Sequence, residues 1–251
     1  MKKLLSLFVG AMVIASGIYW LTACQPDKNE VTNSDLTSVE DRSNGNSKVF
    51  GPSAHPYGKS YEEWAVAWFQ VFMGFNCDEN PWSNPDYALF YQTGPVYFLA
   101  GLNTVGASKD IAVPHGKAIL FPLTNYINDY PCPAQYNFEP APGQSLEDFL
   151  SQGIVDFNNN VTELSVEVDG ASISNPDAYK FISDLFYFTG DPDLATVCQF
   201  DVCVTGESQP AVCGGPFMML KPLSKGTHTV HYHSLTWGTY AQDGTFNITV
   251  E

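Results

Sequence analysis

Apolar residues first recur at helical spacing just after Ser60. Ser60 and Glu63 match a capping box, in which the hydroxyl residue caps the helix and the Glu three residues later bonds back to it. Behind them, Trp64, Trp68 and Phe72 fall on one helical face, and further aromatic residues widen that face until little polar surface remains. The pattern predicts a helix that is buried on most of its sides.

The next apolar segments are continuous rather than periodic. Residues 94–101 and 115–122 are short apolar runs punctuated by Gly or Pro, which is typical of buried strands. A second helix is predicted over residues 145–158, because Ser145 can cap it, acidic residues follow in its first turn, and its apolar residues form one stripe.

From residue 161 onward the pattern changes to the two-residue alternation of β-strands. Leu164, Val166 and Val168 alternate with polar residues and precede Asp169-Gly170, a dipeptide typical of hairpin turns. We expect a loop containing Asp243-Gly244 before the last strand. The further predicted strands cover residues 181–188, 197–204, 217–220, 227–235 and 246–250.

Residues 222–230 resemble the turn-plus-strand of immunoglobulin-like sandwiches, in which a ring at the start of the strand bonds back to the turn. His228 occupies the position of that ring. We therefore expect an α+β fold with an N-terminal helix-plus-strand part, residues 49–160, and a C-terminal immunoglobulin-like β-sandwich region, residues 161–251. The two parts are either separate domains or one continuous domain.

The start of the chain has the organisation of an export signal. Lys2 and Lys3 precede a mostly apolar run, and Leu21-Thr22-Ala23-Cys24 then resembles the lipobox of bacterial lipoproteins. In that family the chain is cut before the Cys, which receives a diacylglycerol and, with a further acyl chain such as palmitate, anchors the protein. The resemblance implies a signal peptide over residues 1–23 and Cys24 as the lipidated residue. A plain secretory signal or a membrane-spanning anchor is the alternative.

Residues 24–48 would then form a flexible tether, since they are polar and contain no aromatic residue. Gln25 follows the lipidated Cys, and in bacterial lipoproteins a residue other than Asp there favours passage to the outer membrane. We therefore expect a protein of the bacterial cell envelope, lipid-anchored at the outer membrane or cell surface, with the membrane as its first partner.

Composition excludes several classes of function. The 251 residues include 27 acidic and 11 basic ones, giving a formal net charge of −16, while 14% are aromatic. Nucleic-acid binding needs a basic face and is excluded. The one arginine, Arg42, lies in the predicted tether, so the folded part has no bidentate guanidinium for phosphate or carboxylate ligands. The motifs of serine hydrolases, lactamases, nucleotide-binding loops and zincins are also absent.

Several segments together resemble a family of uncharacterised exported bacterial proteins. They are the helix with Trp64 and Trp68, then Asn80-Pro81, residues 92–101, residues 114–122 and the turn at 222–230. The resemblance implies an exported protein and brings no functional site with it.

Five cysteines remain after Cys24, and an oxidising compartment favours disulfides between them. Five is odd, so one thiol stays free, and spacing leaves several pairings open. The pairing we favour joins Cys77 to Cys132 and Cys203 to Cys213, with Cys198 free and buried.

Two histidines suggest a metal site. His231 and His233 lie two residues apart on a predicted strand and so share a face, which is a recurring half-site for Zn, Cu or Fe. His115 is the available third ligand. The alternative is that both histidines line a solvated strand face.

Oxygen-rich loops suggest a Ca²⁺ site, although none has EF-hand spacing. Solvated loop carboxylates are the alternative. The acidic residues concerned are Asp78, Glu79 and Asp86, then Asp191 with Asp193, and Asp129 beside Asn128.

Trp82 and Trp237 lie in or beside predicted loops, where a flat ring can stack on a sugar or hold a protein partner. Ordinary packing is the alternative. The leading hypothesis is thus a membrane-anchored lipoprotein with a non-catalytic binding or structural role and an envelope protein or glycan as partner. The first alternative is a metal-dependent enzyme or metal-binding protein using His231 and His233. The second is carbohydrate binding.

Overall fold

The first helix begins where the capping box predicts it. In the computed structural model, which describes residues 46–251, α1 covers Tyr61–Phe72. The Glu63 amide donates to Ser60 Oγ at 3.2 Å, and the Ser60 amide donates to Glu63 Oε2 at 2.7 Å. Trp68 is fully buried, and its indole Nε1 donates to the carbonyl oxygen of Leu99 at 2.8 Å. The capping box and the buried helix are confirmed.

Two further helices follow. The second helix, α2, covers Leu146–Asn160, and the Asp148 amide donates to the capping hydroxyl of Ser145 at 3.1 Å, as expected. The third, α3, is one turn long and covers Asp193–Thr196. Short 3₁₀ turns lie at Asn46–Lys48, Pro56–Gly58, Pro85–Tyr87, Ala134–Tyr136 and Pro176–Tyr179.

Twelve strands lie within residues 46–251, so the fold is mixed α+β and mostly β. They are β1 (Leu89–Tyr91), β2 (Val96–Leu99), β3 (Ala107–Val113), β4 (Ala118–Pro122), β5 (Tyr126–Asp129), β6 (Val161–Val168), β7 (Ala171–Ser172), β8 (Lys180–Ile182), β9 (Phe186–Thr189), β10 (Ser208–Leu220), β11 (Gly226–Thr236) and β12 (Tyr240–Val250).

The strands form two sheets. The first has seven strands in the order β1-β2-β4-β10-β5, with β8 and β9 also paired to the long strand β10. The second has five strands in the order β3-β12-β11-β6-β7. Pairing is antiparallel except between β2 and β4 and between β3 and β12. Both sheets contain strands from before and after residue 160.

The first sheet is the middle layer of three. On one face, Phe121 of β4 contacts the rings of Tyr232 and Phe246 in the second sheet, at centroid distances of 6.2 and 6.3 Å. On the other face, Trp68 of α1 packs against Phe217 of β10 at 5.6 Å. Every residue of β2 and β4 is buried, because strands covered on both faces bury both sets of side chains.

Helix α2 lies close against β10 because a glycine leaves room for it. A Cβ atom on Gly214 would lie 2.3 Å from Cγ2 of Ile154 in α2. The outer face of the second sheet is at least partly exposed, and most of its residues along β11 and β12 are polar. At the start of β11, the His228 ring bonds the carbonyl oxygen of Ser224 in the preceding turn at 2.9 Å, as the sequence indicated.

Two predicted elements are wrong. Residues 197–204 form turns and loop rather than a strand, because their two cysteines are bonded to different parts of the fold. Asp243-Gly244 lies inside β12 rather than in a loop, because the hairpin reverses earlier, at Trp237 and Gly238, both of which have positive φ.

The number of disulfides is confirmed, but their connectivity differs from the favoured pairing. The bonds join Cys77 to Cys198 and Cys132 to Cys203. Cys213 is the free thiol instead of Cys198, since it faces the core from the middle of β10 and is fully buried.

The signal peptide, Cys24 and nearly all of the tether lie outside the described residues. Within residues 46–251, no helix is both long enough and apolar enough to cross a bilayer.

Candidate functional site

A cavity of about 560 Å³ lies where α1, β5, the β11–β12 turn and the loop around residue 200 meet. That volume is within the range of small-molecule sites in proteins. Eleven of its 23 lining residues are aromatic. Four of the lining residues are also among the large side chains that the fold leaves exposed: Tyr126, Tyr136, Trp237 and Tyr240. Exposed aromatic residues gathered around one cavity are typical of a binding surface.

Both disulfides hold the segment that forms one wall of this cavity. Cys198 and Cys203 lie at the two ends of that segment, which places Phe200 and Asp201 at the cavity. The ring of Phe200 contacts Trp82 at a centroid distance of 5.7 Å. The wall is therefore fixed by covalent bonds rather than by strand pairing.

Two carboxylates belong to the cavity. Asp129 ends β5 opposite Ala211 of β10, is only 3% exposed, and accepts a hydrogen bond from Gln209 Nε2. Asp201 accepts from the backbone amide of Cys203 at 3.0 Å. Burial, together with the negative charge of Asp201, raises the pKa of Asp129 to about 8. Burial also raises the pKa of Asp201. The two groups repel each other in a poorly solvated site.

The cavity offers these carboxylates no basic partner. Among the described residues that line it there is no Lys, Arg or His. Burial and the charges of Asp201, Asp129 and Asp156 likewise raise the pKa of the Tyr126 hydroxyl. The described lining thus holds two acidic side chains and no basic one inside an aromatic wall.

Both tryptophans singled out from the sequence line this cavity. Trp237, at the β11–β12 turn, is 46% exposed and packs edge-on against Phe157 and Tyr126. Trp82, in the loop after α1, is partly buried. The fold thus brings together two rings that lie 155 positions apart in the sequence.

The histidines lie elsewhere, on the outer face of the second sheet. The carboxylate of Asp243 is within reach of both predicted ligands, at 3.6 Å from His231 Nε2 and 3.1 Å from His233 Nδ1. Glu163 lies 3.7 Å from His233 Nε2. His231 and His233 therefore share a face, as the alternation predicts.

His115 is not near this pair. Its backbone amide donates to the carbonyl oxygen of Glu251, at the end of β12, whereas His231 is paired with Thr245. Glu251 and Thr245 are six residues apart along extended chain, which corresponds to about 20 Å between His115 and His231. His115 is therefore not the third ligand in this arrangement.

The oxygen-rich loops make local hydrogen bonds. Asn76 Oδ1 accepts from the Asp78 amide at 3.0 Å, Asp191 Oδ1 accepts from the Asp193 amide at 2.9 Å, and Asp86 pairs with Lys109. One group of three metal-ligating residues in the described part of the chain has ligand atoms within 4.8 Å of one another. It contains Asp129, Cys132 and Cys203, whose two sulfurs are joined in a disulfide.

The pairing of Asp129 with Asp201 was missed by sequence reasoning. The sequence placed Asp129 among the carboxylates of oxygen-rich loops, although it lies at the end of a strand. The available signal for Asp201 was its position between Cys198 and Cys203, beside an aromatic residue.

Comparisons with known proteins add little. No model of a known protein family matches the chain, and neither does any curated protein. Among solved structures, it is similar to the cysteine protease inhibitor EhICP2 from Entamoeba histolytica, with 12% identity, a TM-score of 0.21, and 62% of this chain and 96% of that one covered. It is also similar to PbICP-C from a complex with falcipain-2, with 9% identity, a TM-score of 0.24, and 63% and 100% covered. Amebosin matches at 10% identity and a TM-score of 0.21, with 63% and 100% covered. At these TM-scores the likenesses carry no argument about this chain.

Proposed function

We propose that this chain is a lipid-anchored, exported protein whose folded part binds a small ligand in the aromatic cavity and catalyses no reaction. The observation that carries the proposal is the cavity itself, which is large, ringed by exposed aromatic residues and contains two carboxylates. Concave, mostly apolar sites with a few polar groups are where proteins hold small ligands.

Support for binding rather than catalysis comes from the groups at the cavity. No histidine lines it within the described residues. The free thiol of Cys213 is fully buried, and burial raises its pKa to about 12, so it provides no thiolate nucleophile near neutral pH.

Support for export and anchoring comes from the lipobox at Cys24 and from the two disulfides, which persist in oxidising compartments. The bond from His228 back to its turn supports an immunoglobulin-like description of the second sheet, which we include in the proposal.

The ligand site can be tested by thermal unfolding of the full chain with a panel of sugars, organic cations, organic anions and apolar molecules. A ligand at 100 times its Kd stabilises the folded state by about 2.7 kcal/mol, which raises Tm by about 5 to 10 °C in a protein of this size. Val202→Trp places a large ring into the cavity and should abolish the shift. Val197→Trp, at an exposed site that does not line the cavity, is the matched control.

Three results would contradict this part of the proposal. They are a panel in which no compound raises Tm, a shift that survives Val202→Trp, and chemical conversion of the bound compound.

The anchor can be tested by fractionating bacteria that express the full chain. Wild type should carry a fatty-acid label and sediment with membranes, while Cys24→Ser should lose both, because no other residue of the predicted lipobox can accept the lipid. Ser38→Ala in the tether is the control. A labelled Cys24→Ser chain would remove the lipoprotein assignment.

A second candidate function is binding of Zn, Cu or Fe at His231 and His233. The observation in its favour is that the Asp243 carboxylate is within reach of both rings. Elemental mass spectrometry of the purified chain tests it: the proposal expects stoichiometric metal that is lost in His231→Ala/His233→Ala and retained in His115→Ala. Equal metal content in all three proteins would refute it.

A further inference from the structure

The described residues provide no positive partner for the two cavity carboxylates. Asp129 receives a hydrogen bond from the neutral amide of Gln209, and Asp201 receives one from a backbone amide. No Lys, Arg or His in the described lining balances them. Two acidic groups held close together in a poorly solvated place are relieved either by a shared proton or by a cation.

The walls around them also favour positive charge. Aromatic rings carry negative potential on their faces and attract a cation placed over them. Trp82, Phe200, Tyr126, Trp237 and Tyr240 surround the same space. A metal ion would satisfy the carboxylates but would leave the ring faces unused.

One oxygen atom at the cavity has no hydrogen-bond donor among the described residues. The side chain of Gln242 lines the cavity, and its Oε1 atom is buried without finding a donor among the described residues. A buried acceptor without a donor costs stability. A hydroxyl or N–H on the ligand would supply that donor.

The charge of the whole chain acts in the same direction. With a formal net charge of −16, the protein raises the local concentration of cations and repels anions. A neutral sugar could stack on Trp82 and Trp237, but it would leave the repulsion between the carboxylates unrelieved.

We propose that the cavity selects an organic cation, meaning an ammonium or quaternary ammonium group carried on a small organic body. The proposal rests on the proposed function, since it names the ligand class of the same cavity. The cationic group lies over the aromatic rings and beside Asp129 and Asp201, and a ligand hydroxyl or N–H reaches Gln242.

The probe is choline, because its quaternary ammonium group does not titrate, and its uncharged carbon isostere dimethylbutanol has the same shape. Isothermal titration calorimetry on the full chain at pH 9 should show choline binding about tenfold or more tightly than dimethylbutanol. Glucose is the third compound and represents neutral sugars.

Binding should also depend on pH, because choline competes with the proton shared by the carboxylates. The titratable groups facing Asp129 are Asp201 and the Tyr126 hydroxyl, with Asp156 of α2 beyond it, while Gln209 and the Cys132–Cys203 bond are neutral. Choline affinity should rise about tenfold or more from pH 6 to pH 9, with protons released on binding. The affinity of dimethylbutanol should not rise.

Two variants separate this role from a structural one. Asp129→Asn should bind choline at every pH about as weakly as wild type does at pH 6, and Asp201→Asn should show the same loss. Asp184→Asn, which removes an exposed carboxylate outside the cavity, should behave as wild type. Dimethylbutanol binding reports whether each variant keeps an intact cavity.

Equal affinity for choline and dimethylbutanol, tighter binding of glucose, or pH-independent choline binding would each overturn the cation proposal and leave the cavity standing as a binding site. Absence of choline binding would also overturn it. The small-ligand site itself would be removed only by one of the three results given above for the panel.

Discussion

The buried carboxyl of Asp129 should make the stability of this fold fall as pH rises. Asp129 is almost inaccessible to solvent and faces Asp201, and no basic residue is among the described residues that line the cavity. Its pKa is about 8 in the folded chain, against an ordinary value of 3.8. Between those values the folded state binds a proton that the unfolded state releases, so each rise in pH favours unfolding.

The size of the effect follows from the two pKa values. Stability is highest below the unfolded value and is lost progressively up to about pH 8, at about 1.4 kcal/mol per pH unit. From pH 5 to pH 8 the free energy of unfolding should therefore fall by about 4 kcal/mol. That loss is a large fraction of the 5 to 15 kcal/mol that is typical for a folded domain. Even a loss of about half that size would be measurable.

Replacement of Asp129 with Asn removes the titration and keeps the size of the side chain. The amide can still accept the hydrogen bond from Gln209. The advantage of the variant over wild type in free energy of unfolding should grow by about 4 kcal/mol between pH 5 and pH 8, because only the ionised form of Asp129 is disfavoured. Asp184→Asn makes the same chemical change at an exposed position and should follow the wild-type curve.

The assay is urea unfolding at pH 5, 6, 7 and 8, followed by tryptophan fluorescence with both disulfides intact. The difference between Asp129→Asn and wild type cancels the titration of groups outside the carboxylate pair. If the two free-energy curves run parallel over this range, Asp129 is ionised in the folded chain, and the reasoning from burial and repulsion is wrong.

Three other predictions concern the framework. Peptide mapping without reduction should recover Cys77 joined to Cys198, and the double Ala variant should lose about 4 to 5 kcal/mol in urea unfolding, because that bond closes a loop with a sequence separation of 121. Gly214→Ala should lose about 3 kcal/mol or more, since its Cβ would overlap Ile154, and a small loss in the same assay would contradict that packing. Ser60→Ala should lower Tm through a loss of about 1 kcal/mol at the helix cap, whereas Ser60→Thr should not.

Features set by neighbouring residues could be predicted from the sequence. The cap of α1 depends on Ser60 and Glu63, which are three positions apart, and the β pattern after residue 161 depends on alternation within one strand. The bond from His228 to Ser224 is equally local. Such signals need no knowledge of the tertiary fold.

Features set by distant partners could not be predicted in the same way. Cys198 was expected to be free, yet it bonds to Cys77, 121 positions away. Spacing along the chain gives no information about which loops meet in space, because that is decided by the sheet order. The strand predicted over residues 197–204 was wrong for the same reason. Its two cysteines are bonded to distant parts of the chain, and Phe200 and Val202 line the cavity from a loop.

The residues of the cavity could be predicted only in part. Trp82 and Trp237 were singled out as rings beside loops, a local signal, but their arrival at one site depends on the whole fold. Asp129 gave no local signal of its burial, because an acidic residue buried at the end of β5 looks the same in the sequence as one in a solvated loop. Burial decides the difference in pKa, and burial is a tertiary property.

The disulfides explain how the two carboxylates can stay together. Asp129 is fixed by strand pairing in β5, whereas Asp201 lies in a segment without regular structure, so repulsion would push that segment outward once both groups are ionised. Covalent bonds at Cys198 and Cys203 oppose this movement, and they persist only where thiols are oxidised. The disulfides that depend on an oxidising compartment therefore also keep Asp201 close to Asp129. In a reduced chain the segment that forms this wall of the cavity would be free to move, and the two carboxylates would separate.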